Sequence, residues 1–340
     1  MRQYLLPEKG KFYKANLHMH TTVSDGANTP QEVKEAYQKE GYSIVAFSDH
    51  EVMVPHNELT DCNFLALTAF EKSIDCPSSE KSYSFRKTAH LNLFAKDRNA
   101  EICPVMNASE VWGNARKYIN NKMKQADYRS EYSESGLNDI IHKANESGFL
   151  VCLNHPVWSL QNYQDYIGLK GLWGIECYNT GCVIEGYPDT AQPLDDLLRA
   201  GQNVFPVYSD DAHGEKDRFG GYVMIKAENL EYDTIMNALE KGDFYSTSAP
   251  EIHSLYIEDD ILTVECSPVV SITVSTERRS NLHIVSEKES LLTHVEFNLG
   301  KYLSESRSAE DEMRRYFRVT VIDERGRSAL SRAYFTDELK

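Results

Sequence analysis

Short apolar runs that are typical of buried strands alternate with helix-like runs from residue 12 to about residue 245. We predict strands at 12–18, 43–48, 64–69, 89–94, 149–154, 172–178, 204–208 and 222–225, and helices at 30–40, 137–147, 193–200 and 232–240. The first helix has a typical start, because Thr29 can cap it and Pro30 suits its first turn. Strands that alternate with helices predict a parallel sheet of the α/β class, and seven or eight such units predict a closed barrel.

The pattern changes near residue 250. Seven short alternating runs with polar turns between them predict a β-sandwich: 252–257, 261–266, 270–275, 282–285, 294–298, 316–322 and 329–335. We therefore expect two domains, a barrel over residues 1–250 and an all-β sandwich over 251–340. The polar segment 107–136 interrupts the alternation, and we interpret it as a helical insertion over one rim of the barrel.

The balance of charges restricts the partners of the chain. There are 36 Lys and Arg against 52 Asp and Glu, a net charge of −16, with no basic stripe. Such a field repels polyphosphate chains, so we expect no long nucleic acid as a partner. No apolar run is long enough for a membrane span, and the first residues lack the apolar core of a signal peptide, so we expect a cytoplasmic protein without a membrane partner. The seven scattered cysteines are expected to be reduced and mostly buried.

Histidines and carboxylates gather at the ends of the predicted strands. His18 and His20 are two residues apart on a strand, so both can face one ion. The other strand ends carry Asp49, His50, Glu71, His90, His155, Asp210, Asp211 and His213. In a barrel these ends form one ring, where side chains from distant parts of the chain meet. Imidazole combined with carboxylate suits Mn, Fe or Zn better than Ca, so the sequence predicts a metal centre.

These residues resemble the motifs of the PHP (polymerase and histidinol phosphatase) metallohydrolases, specifically the stand-alone predicted phosphoesterases with a β-rich C-terminal extension. The resemblance covers residue 12 to about residue 250. It rests on His18-Met19-His20 with Asp25, Ser48-Asp49-His50, Glu71, His90, Asn154-His155-Pro156 and Ser209-Asp210-Asp211-Ala212-His213. It implies a distorted (β/α)7 TIM-like barrel that holds two or three divalent ions (Mn, Fe or Zn). It also implies nine metal ligands: His18, His20, Asp25, His50, Glu71, His90, His155, Asp211 and His213.

By similarity, the nine ligands divide into three groups. The first ion would bind His18, His20, Glu71 and Asp211. Glu71 would bridge to a second ion on His90 and His155, and the third would bind Asp25, His50 and His213. We expect Glu71, Asp211 and His213 to act in catalysis, with a hydroxide held between two ions as the nucleophile. Asp210 is expected to support the ligands, and the candidate substrate contacts are Arg218, Tyr178 and Asn179.

The leading hypothesis is hydrolysis of a small phosphomonoester or phosphodiester, such as a nucleotide or a sugar phosphate. The alternative enzyme would cleave a carbon-centred ester, amide or carbamate. A basic residue beside the metals would favour phosphate, whereas an apolar pocket would favour the alternative. A third hypothesis is a metal-stabilised binding module without activity, which loss of ligands would favour. The isolated His253, His283 and His294 are expected to be structural.

Overall fold

A computed structural model describes residues 2–80, 82–287, 290–307 and 314–339. The strands are β1 (Gln3–Tyr4), β2 (Lys11–Asn16), β3 (Ile44–Phe47), β4 (Leu65–Asp75), β5 (Thr88–Ala95), β6 (Phe149–Asn154), β7 (Gly174–Asn179), β8 (Phe205–Ser209), β9 (Tyr222–Ala227), β10 (Phe244–Thr247), β11 (Ile252–Glu258), β12 (Ile261–Val269), β13 (Ser271–Thr276), β14 (Leu282–Val285), β15 (Leu292–Asn298), β16 (Tyr316–Ile322), β17 (Ser328–Ser331) and β18 (Tyr334–Phe335).

The helices are α1 (Pro30–Lys39), α2 (Glu134–Glu146), α3 (Tyr163–Tyr166), α4 (Thr180–Ile184), α5 (Gln192–Arg199), α6 (Tyr232–Lys241) and α7 (Gly300–Arg307). None of the helices in the described ranges has the length and apolarity that crossing a bilayer requires. Helix α1 begins as predicted, because the Thr29 side chain accepts from the amide of Glu32 and the Glu32 carboxylate accepts from the amide of Thr29.

Seven consecutive strands, β2 to β8, lie side by side in a 14-stranded sheet. The trio β2, β3 and β4 pairs in parallel, as does the trio β6, β7 and β8. Strand β5 is antiparallel to both of its neighbours, so the prediction of a parallel sheet was wrong at this strand. The reason is the connection from β4, whose described residues form only a 3-10 turn, Tyr83–Phe85, and a parallel neighbour needs a longer crossover.

A closed barrel is not shown. The hydrogen-bonded path of strands ends at β8. Just beyond β2 and β8, however, the amide of Asp211 donates to the carbonyl of His18 at 3.0 Å, and the amide of His20 donates to the carbonyl of Ala212 at 3.2 Å. The sheet therefore bends until the carboxyl ends of β2 and β8 touch, and this brings distant strand ends together as a barrel would.

The C-terminal quarter of the chain agrees with the predicted sandwich in its packing. An antiparallel sheet in the order β1-β11-β12-β15 packs against β13, β16 and β17 of the large sheet, and residues such as Leu262, Val264 and Val319 share one core. Two features were missed. Strand β17 pairs with β10, so the large sheet continues across residue 250, and β1 completes the small sheet. The domain boundary near residue 250 stays a prediction.

The predicted helical insertion at 107–136 was wrong in most of its length. It contains the 3-10 turns Gly113–Tyr118 and Met123–Gln125, and α2 begins only at Glu134. Glycine and asparagine are weak helix formers, and Asn side chains compete for backbone groups, as Asn120 does when it accepts from the amide of Met123. This part of the chain is an irregular segment held by side-chain bonds.

Candidate metal centre

The strands bring all nine predicted ligands to one edge of the sheet. His18, His50, His155 and Asp211 follow β2, β3, β6 and β8 directly, at the carboxyl ends of parallel strands. His90 lies near the start of β5, and because that strand runs in the opposite direction its start reaches the same edge. The reversal of β5 therefore explains how a histidine at the beginning of a strand joins ligands at the ends of the others.

The carboxylate of Glu71 lies at the centre of the cluster. Its side chain is 1% exposed. Five imidazole nitrogens lie within 3.4 Å of its two oxygens, namely those of His18, His20, His50, His90 and His155. The two oxygens face different rings, since Oε1 is 3.1 Å from His90 Nδ1 and Oε2 is 3.0 Å from His50 Nδ1. One carboxylate can therefore be shared between two ions.

Asp211 closes the cluster from the opposite side. Its Oδ1 lies 3.2 Å from His18 Nε2 and 3.1 Å from His20 Nε2, and its Oδ2 lies 3.6 Å from His155 Nε2. Both Asp211 and His155 have a positive φ, 52° and 26° respectively, which non-glycine residues adopt rarely. Such strain is concentrated at functional sites, where the surrounding contacts hold it.

A third group of ligand candidates lies nearer to the solvent. Asp25 Oδ2 is 3.8 Å from His50 Nε2 and 3.6 Å from His213 Nε2, and Asp25 Oδ1 is 3.7 Å from His20 Nδ1. The side chains of Asp25 and His213 are 31% and 39% exposed. His50 contacts both Asp25 of this group and Glu71 of the central cluster. The three expected ligand groups therefore share a residue in the structure and are not separate.

The spacing of these atoms fits metal ions. Neighbouring ligand atoms around an ion with bonds of about 2.1 Å stand about 3.0–3.4 Å apart in octahedral and tetrahedral geometry. The Nε2 atoms of His18 and His20 are 3.1 Å apart, and each is a similar distance from Asp211 Oδ1. His20 Nδ1 and Asp211 Oδ1 are buried without a hydrogen-bond partner among the described residues. Ions would satisfy these atoms, so the donor set fits divalent metals.

Burial and neighbouring charges set the protonation of the ligands. Burial raises the pKa of Glu71, but the rings of His90 and His18 outweigh it and hold that pKa well below its ordinary value. Burial and the neighbouring His213 ring lower the pKa of His20 to about 3. An ionised carboxylate and a neutral imidazole are the forms that bind metals, so both groups are ready to do so near neutral pH.

Glu176, on β7, was missed by sequence reasoning. Its side chain is 1% exposed, and Oε1 lies 2.7 Å from His18 Nδ1. Its Oε2 accepts from the amide of His155 at 2.9 Å and from Asn179 Nδ2 at 3.0 Å. A carboxylate on the second nitrogen of a ligand histidine fixes the orientation of the ring and raises its basicity. The available signal was an acid inside the apolar run Ile175-Glu176-Cys177.

Other buried polar residues hold the ligands in place. Asn154 Nδ2 donates to Glu71 Oε1 at 2.8 Å. Asp49, whose pKa is raised by burial, accepts from both the amide and the hydroxyl of Thr21 and so fixes the loop after His20. Asp210 accepts from the Tyr37 hydroxyl at 2.8 Å and from the backbone amides of residues 219–221. The supporting role expected for Asp210 agrees with these contacts.

A cavity of about 730 Å³ opens above the ligands. Seven of the ligand candidates line it, and its other lining residues are Glu51, Ser73, Ile74, Asp75, Tyr83, Glu110, Trp112, Ser130, Trp158 and Glu185. Among the described residues, no Lys or Arg belongs to this lining. The walls come from β4, from the irregular segment and from the loops after β6 and β7. A small molecule that approaches the ligand candidates from this side would therefore pass mainly acidic and aromatic side chains.

The three expected substrate contacts lie elsewhere. Arg218 donates to Asn28 Oδ1 and does not line the cavity. The ring of Tyr178 stacks on Tyr208 at 5.2 Å between centroids, also outside the cavity. Asn179 donates to Asp211 Oδ2 at 3.1 Å, so it positions a ligand candidate. Tyr178 and Asn179 end strand β7 at the edge where the ligand candidates lie, but the side chains of Tyr178 and Arg218 contact Tyr208 and Asn28.

A comparison of the sequence with models of known protein families agrees with this site. The model of the PHP domain matches residues 16–241, about two thirds of the chain. The chain belongs to the PHP family. The PHP match spans all nine ligand candidates, and the resemblance inferred from the motifs is thus confirmed. This is a family of metal-dependent phosphoesterases and related hydrolases, so the chain is a metal-binding protein of hydrolase type. No curated protein matches the sequence significantly.

The solved structures to which this chain is similar have low sequence identity to it. A two-domain protein from Bacteroides vulgatus ATCC 8482, containing a predicted PHP-like metal-dependent phosphoesterase, shares 13% identity over 98% of this chain and 97% of its own, with a TM-score of 0.44. A phosphoesterase-like protein from Bifidobacterium adolescentis ATCC 15703 shares 18% identity over 70% and 98%, with a TM-score of 0.41. An amidohydrolase from Chromobacterium violaceum shares 16% identity over 59% and 87%, with a TM-score of 0.36.

Proposed function

We propose that this PHP protein hydrolyses a small phosphomonoester or phosphodiester, of the nucleotide or sugar phosphate type, with two or three divalent ions (Mn, Fe or Zn). The observation that carries the proposal is the single carboxylate of Glu71 with five imidazole nitrogens within 3.4 Å, at the floor of a cavity. All nine ligand positions carry a His, Asp or Glu, which speaks against a binding module without activity.

The ions and the side chains around them would have different roles in hydrolysis. Bound ions would lower the pKa of a coordinated water and neutralise charge on the phosphoryl oxygens. Glu71 would set the separation of two ions, since its oxygens face different rings, and Asp211 would complete the first group. His213 lines the cavity and its side chain is 39% exposed, so the group formed by Asp25, His50 and His213 is open to a substrate from this side.

Small substrates are favoured over long nucleic acids. A polyanion would meet a net charge of −16 and a mouth that contains Asp75, Glu110 and Glu185, and no Lys or Arg among the described lining residues would neutralise its backbone. We therefore expect no processive degradation of a long strand.

The alternative chemistry, cleavage of a carbon-centred ester, amide or carbamate, is favoured by one specific observation. The described cavity lining contains three aromatic residues and no Lys or Arg, whereas phosphate sites often use arginine. The same ions could serve both reactions, so the cluster itself does not separate them.

A substrate panel tests the choice. The Mn-loaded protein is incubated with mononucleotides, sugar phosphates, short oligonucleotides and aryl carbamates, and kcat/KM is measured for each. The proposal expects release of phosphate from at least one small phosphoester with the highest efficiency, and loss of that activity in Glu71→Gln. Higher efficiency on the carbamates than on every phosphoester would overturn it, and processive digestion of a long strand would overturn the restriction to small substrates.

A further inference from the structure

The mouth of the cavity has an aromatic wall, defined by Tyr83, Trp112 and Trp158. The Trp158 ring lies 5.0 Å from His155 and 6.3 Å from Tyr83, and the Trp112 ring lies 5.2 Å from His50, measured between centroids. Tyr83 is 47% exposed and Trp112 is 42% exposed. Large aromatic side chains that remain open to solvent beside a candidate active site are typical of surfaces that contact a ligand.

The four carboxylates of the same lining that are not ligand candidates fall into two pairs. Glu51 and Glu110 are both bound by the fully buried ammonium of Lys72, which lies 2.7 Å from Glu51 Oε2. Asp75 and Glu185 are exposed, and within the part of the chain that the structure describes neither forms an ion pair. Glu185 Oε2 accepts from Trp158 Nε1 at 3.1 Å, which places a negative charge at the edge of an indole ring. Two uncompensated carboxylates thus flank the aromatic wall.

Aromatic faces combined with carboxylates attract organic cations. The face of an indole or phenol ring carries negative potential, and a quaternary or protonated ammonium binds over it. A carboxylate beside the ring adds direct attraction for the same group. A phosphate group would be repelled by this part of the lining and attracted by ions at the floor, so a molecule with an anionic end and a cationic end would match both parts.

We propose that the substrate is a phosphoester whose alcohol part carries an ammonium group, and that this group binds at the aromatic wall with Asp75 and Glu185 as its counter-charges. The proposal rests on the function proposed above for the choice of phosphoester. The recognition of the cation depends only on the mouth of the cavity, so it can be tested separately.

Binding is measured first, with probes that contain no scissile bond. Choline and its uncharged carbon isostere, 3,3-dimethylbutan-1-ol, are titrated into the Mn-loaded protein, and the dissociation constants are obtained by calorimetry and by tryptophan fluorescence. Two of the three tryptophans belong to the aromatic wall, while Trp173 is buried in the core and provides a constant background. We expect choline to bind at least about tenfold more tightly than its isostere. Equal affinities would overturn the proposal.

Charge-neutral variants of the two carboxylates identify the site. Asp75→Asn and Glu185→Gln preserve size, and both positions are exposed, so folding is preserved. Each should weaken the binding of choline several-fold without changing that of the isostere, and the double variant should abolish the preference. Glu228→Gln, an exposed position outside the cavity, is the matched control and should bind as the unmodified chain does. A preference for choline that persists in the double variant would also overturn the proposal.

Hydrolysis of a second pair of probes separates this inference from the proposed function. Phosphocholine and 3,3-dimethylbutyl phosphate carry the same phosphate group and differ in the charge of the alcohol part. Higher kcat/KM for phosphocholine would support both proposals. Binding of choline without hydrolysis of any phosphoester would leave the cation site intact and refute the phosphoesterase function. Hydrolysis of both compounds with equal kcat/KM would refute the cation site alone.

Discussion

Glu71 is surrounded by five imidazole nitrogens and the side-chain amide of Asn154, whereas a carboxylate offers about four lone-pair positions, so these groups cannot all be its hydrogen-bond donors. Shared metal ions would account for this crowding. The properties of the cluster therefore depend on the charge of one side chain.

Replacement of Glu71 by Gln should abolish turnover while the fold is retained. A neutral amide has the shape of the carboxylate but cannot bridge two ions with the same charge, and we expect kcat to fall at least about a hundredfold. Metal content, kcat and the melting temperature are measured together. Glu296→Gln on the exposed face of β15 is the control. More than about a tenth of the original kcat at full metal content would contradict the shared-carboxylate account.

Replacement of Glu176 by Gln should have a different signature. Glu176 contacts His18 Nδ1 and the amide of His155, so we expect it to position two ligand candidates rather than to bridge two ions as Glu71 would. We expect metal affinity to fall about 10–100-fold, with much of kcat recovered at saturating metal. Metal titration by calorimetry measures this, and Glu228→Gln is the control. Unchanged metal affinity would show that the contact has no such role.

The sequence predicted which ligand candidates converge, and it missed some of their partners for a physical reason. Ligand histidines and acids fall at strand ends, where the change from apolar to ionisable residues is visible in the sequence. Glu176 acts through His18, 158 positions away in the chain, and only the bend of the sheet brings the two together. Tyr178 and Arg218 stay predictions as substrate contacts, and their neighbours in the structure, Tyr208 and Asn28, could not be inferred from local sequence.

At the scale of elements, a buried charge cluster joins three parts of the site. Lys72 on β4 binds Glu51, in the loop after β3, and Glu110, in the irregular segment that carries Trp112. Glu51 has a φ of 61°, a strained conformation that its bonds to Lys72 and to the amide of Ser73 hold in place. The loop after β3 and the irregular segment are thus both bound to β4, the strand that carries Glu71.

Replacement of Lys72 by Met should destabilise the protein and loosen the wall. The buried Glu51 and the partly exposed Glu110 would lose their counter-charge, and breaking a buried ion pair costs about 3–5 kcal/mol of unfolding free energy. Denaturant unfolding measures the loss, and hydrogen exchange should increase within residues 107–130. The exposed Lys170→Met is the control. A loss below about 1 kcal/mol, the usual range for surface pairs, would show that this cluster does not hold the wall.

The sequence could not indicate this attachment, nor the reversed strand β5. The alternation of strands and helices predicts which residues form strands, but the direction of β5 depends on a connection whose length and composition resemble those of a loop. The irregular segment has no apolar periodicity, so its anchoring by Glu110 and Lys72 is a tertiary feature that local pattern does not encode.

At the scale of the whole molecule, the C-terminal strands are continuous with the catalytic sheet. Strands β10 and β17 pair directly, and Arg318 on β16, 6% exposed, binds both carboxylate oxygens of Asp195 on α5. Residues Leu330 and Phe335 from the C-terminal region also belong to the core beneath the ligands. The sequence pattern changes near residue 250, and these contacts join residues on both sides of that position.

A chain that ends at residue 250 should therefore fail to fold cooperatively. It would expose the edge of β10 and leave Asp195 and a large apolar surface without partners. Thermal unfolding followed by circular dichroism, together with size-exclusion chromatography, compares this fragment with the full chain. A soluble, monomeric fragment with a cooperative transition would contradict this prediction and support the expected boundary.

We propose that the nine converging side chains form a multi-metal centre on which hydrolysis depends. Reconstitution tests this directly: the metal-stripped protein is titrated with Mn, and bound metal per chain is measured together with phosphate release from the best substrate of the panel. We expect no turnover without metal, a rate that rises with occupancy and saturates at two or three ions per chain, and loss of at least one ion in Glu71→Gln. Turnover that is unchanged after metal removal, or saturation at a single ion, would contradict it.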